Sequence, residues 1–193
     1  MARTQAADYE QRRDAIVEKA AQLFADQGFK GAAVSDLAVA CNTSKSLIYH
    51  YYPSKEDILY AVMASHIDQL QLDTAEAMDT PGDARAKLHA LVHRFMHHYV
   101  GAASRQKVLL NELDSLPADK RDTIVHKQRS IIDTVSGLLG EIDPLLGADP
   151  VRIRVQTMLL FGMINWTHTW YDPAGRLAPD TIADMALDLI LRR

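Results

Sequence analysis

The seven prolines constrain this chain more than any other feature of its sequence. A helix interior rejects proline at a cost of about 3 kcal/mol, because the ring removes a backbone donor and clashes with the preceding turn. Pro53, Pro81, Pro117, Pro144, Pro150, Pro173 and Pro179 therefore mark where helices cannot continue, and the spans between them are where helices can run. Four such spans, residues 54–80, 82–116, 118–143 and 151–172, are rich in Ala, Leu, Met, Glu, Gln and Arg. Apolar residues recur at helical spacing, as in Ile16, Ala20, Leu23 and Phe24 and again in Ile124, Ile131, Val135 and Leu138. No stretch alternates with period two between Asn-Gly or Asp-Gly turns. The chain reads as all-α, with about nine helices and no internal repeat.

Composition narrows the function classes. Of 193 residues 48% are hydrophobic and 24% charged, which supplies a core and excludes disorder as the main state. A formal charge of -4 excludes wholesale polyanion binding, so any nucleic-acid contact must come from a local patch. Residues 1–60 carry seven Lys and Arg against eight Asp and Glu, so that patch has to be focal. The single cysteine, Cys41, excludes an intrachain disulfide framework and a cysteine-based zinc site, and fits a reducing compartment. Residues 1–14 are polar and lack the apolar core of a signal peptide, and the longest apolar run, 158–164, falls far short of the ~18 residues a membrane span needs. A cytoplasmic protein with no membrane partner is expected. The sequence holds no phosphate-loop, Gly-x-Gly-x-x-Gly or Gly-x-Ser-x-Gly pattern, and neither an enzyme nor a cofactor is expected.

The first third carries the sharpest local signals. Residues 15–25 form an amphipathic helix that stops at Gly28, suited to a left-handed position. Ser35 is expected to cap a second, short helix with Asp36 at its positive end. Cys41-Asn42-Thr43 then makes a tight turn with Asn42 at positive φ, and Ser44 caps a third helix, Lys45–Tyr51, closed by Pro53. Two short helices across a tight turn, braced by a longer one, define a helix-turn-helix. At about 100° per residue, Lys45, Ser46, Tyr49 and His50 share one polar arc, while Leu47, Ile48 and Tyr51 take the packing side. A cation and several hydroxyl or ring donors on one arc suit a major groove and its phosphates. Lys55, at the start of the next helix, is placed to hold a phosphate with nearby N–H groups.

The stretch 15–29, then Ser35-Asp36-Leu37-Ala38, then residues 44–56 (Ser-Lys-Ser-Leu-Ile-Tyr-His-Tyr-Tyr-Pro-Ser-Lys-Glu) strongly resembles the N-terminal domain of tetracycline-repressor (TetR) family regulators. Asn42 stands where many members have glycine. The resemblance implies a helix-turn-helix domain over 1–53, a ligand-binding and dimerising helical bundle over 54–193, and a homodimeric, ligand-released repressor of double-stranded operator DNA. Candidate DNA contacts are Ser35, Ser44, Lys45, Ser46, Tyr49, His50, Tyr51 and Lys55; by position, Lys45 and Ser46 would reach bases, and Ser44, Tyr49, His50, Tyr51 and Lys55 would mostly hold phosphates.

In the rest of the chain, two last helices over about 151–171 and 179–191 are apolar on more than one face, and in the resembled family such a pair makes the two-fold interface. Residues 107–117 and 161–175 resemble the branch of the family that senses acyl-CoA thioesters, which includes regulators of fatty-acid, phenylacetate and sterol-ring breakdown. The small-molecule effector so implied is an acyl-CoA, phenylacetyl-CoA being one example. His97, Tyr99, Asn111, Met158, Asn165 and Trp166 suit a mostly apolar pocket with a few polar anchors, and any of Arg121, Lys127, Arg129 and Arg176 suits a CoA phosphate; the pocket residues also suit a core with satisfied hydrogen bonds. His89, His93 and His97 recur every four residues, but the sequence locks no carboxylate to them, and a polar helix stripe is the expected role, with no metal. The alternatives are a repressor of an efflux or detoxification gene released by a lipophilic compound, and a helical-bundle metal-binding protein using that stripe.

Overall fold

The structure, a computed structural model, describes residues 2–192, with side chains from Tyr9 onward. These residues form ten α-helices, two short 3-10 turns and no strand. The helices are α1 (Ala2–Gly31), α2 (Val34–Ala40), α3 (Lys45–Tyr51), α4 (Lys55–Met78), α5 (Ala84–Gly101), α6 (Ala103–Asn111), α7 (Ala118–Ile142), α8 (Pro144–Gly147), α9 (Pro150–Asn165) and α10 (Pro179–Leu191).

Prolines do more than bound these helices. Pro144, Pro150 and Pro179 stand in the first turns of α8, α9 and α10, where the missing N–H costs nothing and the fixed φ favours the helix. Asp143 and Asp149, each just before a proline, cap the first free amides: Asp143 accepts from Leu145 at 3.1 Å and Asp149 from Val151 at 3.0 Å. The span 82–116 holds two helices, because α5 ends at Gly101 and Ala102 leaves helical geometry (φ -126°, ψ 36°). α1 is longer than the amphipathic stretch 15–25, but the expected interruption is present: Gly28 breaks it at φ 73°, ψ 157°, an extended positive-φ conformation.

The chain divides into two units, the division falling inside α4 and inside α7. The first unit runs up to His66 and adds Ser104–Ile124. Its core is read directly from helical spacing: Ile16, Val17, Ala20, Ala21 and Phe24 of α1 are buried, as are Leu37, Ile48, Ile58, Leu59, Val62 and Met63, with Val108, Leu109 and Ile124. Each fully buried Leu, Ile, Val or Phe contributes roughly 1.5–3 kcal/mol relative to exposure.

The second unit comprises Ile67–Ala103 and Val125–Arg193. Leu88, Leu91, Val92, Phe95 and Met96 of α5 bury one face, joined by Val135, Leu138 and Leu139 of α7, Leu160 and Ile164 of α9, and Ala183, Ala186 and Leu187 of α10. Phe95 lies 6.4 Å from the Phe161 ring centroid. α7 and α8 approach backbone to backbone at Gly140 and Gly147, where a Cβ on Gly147 would meet the Gly140 Cα at 3.0 Å.

Candidate nucleic-acid interface

Local hydrogen bonds shape the turn between α2 and α3. Thr43 N–H donates to the Ala38 carbonyl at 2.9 Å and Asn42 N–H to the Val39 carbonyl at 3.0 Å, the paired bonds of a Schellman motif. Asn42 occupies the left-handed position at φ 49°, as its short amide side chain allows. Ser44 caps α3, its Oγ accepting from Leu47 N–H at 3.1 Å. One expected cap is displaced: α2 begins at Val34, whose burial draws it into the helix, so Ala33 is the N-cap and makes no side-chain bond. Ser35 sits exposed in the first turn, its Oγ 3.4 Å from Asp36 Oδ1.

This anchoring sets the rotation of α3. Ile48 is wholly buried and Leu47 and Tyr51 half-buried, while Lys45, Ser46, Tyr49 and His50 are all exposed. Lys45 Nζ lies 5.8 Å from the Tyr49 ring centroid, so the cation and the phenol share one surface. The Tyr51 ring packs tilted against that of Tyr9 of α1, centroids 4.8 Å apart, which ties α3 to the long helix. Ser44, exposed, spends an oxygen lone pair on its cap and keeps a hydroxyl proton to give. A cleft beside the turn is lined by Arg12, Lys19, Asn42, Thr43, Leu47 and Tyr51. Arg12 and Lys19, missed in the sequence because α1 reads there as a mixed-charge helix face, place two cations at this edge.

Lys55 is occupied otherwise than the sequence suggests. Its ammonium donates to the Phe29 carbonyl and lies 4.4 Å from the Phe29 ring centroid, fastening the start of α4 to the turn after Gly28. Around it is a set of charged links that sequence reasoning missed. Glu112 Oε1 accepts from Phe29 N–H at 3.1 Å, and its Oε2 accepts from Ser115 Oγ at 3.2 Å. Arg105 donates to Glu18 at 2.8 Å. Ser54 Oγ accepts from Asp57 N–H at 3.0 Å, and Lys120 donates to the Asp57 carboxylate. The Lys120 ammonium first, then the Ser54 hydroxyl, hold the Asp57 carboxyl below the usual carboxylate range. The segment 104–120 thus grips the first unit at three points on α1 and α4.

Glu112→Ala would strip the acceptor from a part-buried Phe29 N–H, and a charge-assisted bond of this kind is worth about 1.5–3 kcal/mol. The expected result is a fall in Tm of roughly 3–10 °C, most of it recovered in Glu112→Gln, which keeps an acceptor oxygen. A melt of the alanine variant equal to that of the parent protein would remove Glu112 from this role.

The candidate effector residues belong to both units. Tyr99 is packed in the core of the second unit, its ring 5.9 Å from Phe95. Asn111 is exposed at the end of α6, in the first unit, and Arg129 is exposed on α7. Asn165 is half-buried at the end of α9. Met158 on α9 and Trp166, which opens the 3-10 turn after it, lie open, 45% and 64% exposed, as do Val151, Val155 and Leu159 of α9. In the single chain these two belong to an apolar surface stripe. His97 is exposed and bonded to Asp180 at 2.8 Å. The histidine stripe also departs from expectation: α10 supplies the carboxylates that the sequence of α5 lacks, with Asp180 and Asp184 each 2.8 Å from His93.

Residues 16–62 match the family "Bacterial regulatory proteins, tetR family" and residues 81–193 match "Tetracyclin repressor-like, C-terminal domain". The chain is 26% identical over 184 residues to the HTH-type transcriptional repressor KstR2 of Rhodococcus jostii (strain RHA1), covering 93% of this chain and 89% of that protein. The crystal structure of a TetR-family transcriptional regulator from Bordetella parapertussis 12822 is similar with a TM-score of 0.89 and 37% identity, covering 93% of each chain. The crystal structure of AibR in complex with isovaleryl coenzyme A and operator DNA is similar with a TM-score of 0.81 and 25% identity, covering 92% of this chain and 97% of that one. These relatives are transcriptional regulators. No helix among the described residues is long and apolar enough to cross a membrane.

Proposed function

The chain belongs to the tetR family of bacterial regulatory proteins, and from that premise we propose that it is a homodimeric repressor that binds a palindromic operator through α3 and is released by an acyl-CoA thioester. The observation that carries the DNA reading is the rotation of α3: the capped, Ile48-anchored helix turns Lys45, Ser46, Tyr49 and His50 outward together. With about 34–36 Å between half-sites, a two-fold dimer presents one such helix to each. The exposed apolar stripe of α9, with Met185 and Leu189 on α10, supports the dimer.

Support for the effector class comes from the likeness to AibR, which was solved with isovaleryl coenzyme A and operator DNA, and from the resemblance of 107–117 and 161–175 to acyl-CoA-sensing members. Release requires the effector to favour one conformation: shifting a population from 1:99 to 99:1 takes about 5.5 kcal/mol of differential binding. α4 is the natural lever, because one continuous helix contributes to both units and begins at the Lys55–Phe29 fastening.

The test is a fluorescence-anisotropy titration of the protein on DNA from its own promoter region, challenged with acyl-CoAs, the matching free acids and lipophilic cations. Release by thioesters at micromolar concentration, with free acids inert, is expected. Release by free acids or cations alone would reject the acyl-CoA class and leave the repressor reading standing.

A further inference from the structure

We propose that His89, His93 and Asp184 form a binding site for a divalent transition metal of the Zn²⁺ class, which clips α5 to α10, with Asp180 as the residue that positions His93. This is independent of the repressor reading and rests on atoms of the second unit alone.

His89 and His93 stand one turn apart on α5, with ring centroids 4.1 Å apart and planes 21° apart. Their Nε2 atoms both face the same oxygen: Asp184 Oδ1 is 2.8 Å from that of His93 and 3.3 Å from that of His89. Two ligands bound at about 2.0–2.1 Å to a tetrahedral Zn²⁺ are separated by roughly 3.3 Å, so both imidazole–carboxylate pairs are already near ligand spacing. His89, His93 and Asp184 each bring one ligand atom, all within 4.8 Å of one another.

The second nitrogen of His93 makes the case sharper. Its Nδ1 lies 2.8 Å from Asp180 Oδ1 while its Nε2 faces Asp184. A neutral imidazole has one N–H and cannot donate to two carboxylates, so Nε2 holds either a second proton or a metal ion. With Nδ1–H given to Asp180, the Nε2 lone pair is directed at the position between His89 and Asp184. Carboxylate, histidine and metal in that order are the usual way a protein orients a metal-bound imidazole. Asp180 also accepts from His97 Nε2 at 2.8 Å, and these two histidine bonds keep its carboxyl below the usual range and ionised.

Donor chemistry selects the ion. Two imidazole nitrogens and one carboxylate oxygen suit Zn²⁺ and its neighbours Co²⁺ and Ni²⁺, whereas Mg²⁺ and Ca²⁺ require oxygen cages. His89 and Asp184 are each 58% exposed, which leaves an entry path and room for water in the fourth position. Asp184 precedes Met185, so the clip would steady the helix that presents this exposed apolar side chain.

The experiment uses the full chain, free of affinity histidines and stripped of metal, at pH 7.5. Calorimetry should give one Zn²⁺ per chain, and Zn²⁺ at about a hundred times its Kd should raise Tm by roughly 5–10 °C. The double variant His89→Ala/Asp184→Ala, at exposed positions, should lose affinity by at least about a hundredfold, and Asp180→Asn by about ten- to a hundredfold. His126→Ala, an exposed histidine on α7, should bind as the parent does, and Mg²⁺ should leave the melt unchanged. Absence of a Zn²⁺-dependent shift in the parent protein, or a shift undiminished in the double variant, would overturn the site.

Discussion

Leu159→Asp is expected to leave the protein monomeric at micromolar concentration and to abolish measurable operator binding. Leu159 is 58% exposed in the single chain and lies in a stripe with Val151, Val155 and Met158, at spacings that keep all four along one side of α9, with exposed Trp166 just past its end. Single exposed apolar residues need no explanation, but a contiguous stripe of this breadth marks an interaction face. Gly162, exposed within the stripe and with nothing within 4 Å of its Cβ position, leaves room for close approach of another helix. In a two-fold interface each substitution occurs twice. An uncompensated buried charge costs about 3–5 kcal/mol, so two raise the dimer dissociation constant by about four orders of magnitude or more. Sedimentation of the parent and variant at the same concentration decides the matter: a variant that remains dimeric would show that α9 does not form the pairing face. Circular dichroism should stay unchanged, because the altered side chain lies outside the core.

The second large effect is expected on α3. Lys45→Ala should weaken operator binding by about 1–3 kcal/mol per half-site, which for a dimer on two half-sites amounts to roughly 30-fold to 10⁴-fold. Lys45 is exposed, makes no salt bridge among the described residues and holds its ammonium 5.8 Å from the Tyr49 ring centroid, so the loss would fall on DNA and not on folding. Tyr49→Phe removes one hydroxyl and should weaken binding evenly across operator sequences, as expected of a phosphate contact. Anisotropy titrations against the operator and single-base variants separate the two roles. If both proteins bind as the parent does, the outward face of α3 is not the reading face.

These two cases also show how legibility depends on range. The start of α3 could be read because its determinants lie within a few residues: Ser44 caps Leu47, Asn42 takes positive φ, and Ile48 is the apolar residue of a short polar helix. At α2 the cap lies two residues ahead of Ser35, at Ala33, since capping preference alone cannot tell that burial of Val34 brings the helix start forward. The apolar breadth of α9 was likewise visible, but which of its residues would be covered was not: Met158 and Trp166 suit a pocket by composition and stand on the open stripe in the chain.

What the sequence determined by itself is therefore the helical character of the chain, the caps and prolines that begin most helices, and the helix-turn-helix with its outward arc. These follow from backbone sterics and from hydrogen bonds between residues no more than five positions apart. The tertiary structure alone decided which distant charges meet. Glu112 reaches Phe29 across 83 residues, Lys120 reaches Asp57 across 63, and Asp180 and Asp184 reach His93 across 87 and 91. Every amphipathic helix here offers the same periodic signal, and each polar face has several possible opposites; only the packing of the apolar faces selects the partner, and with it the chemistry that the paired side chains can perform.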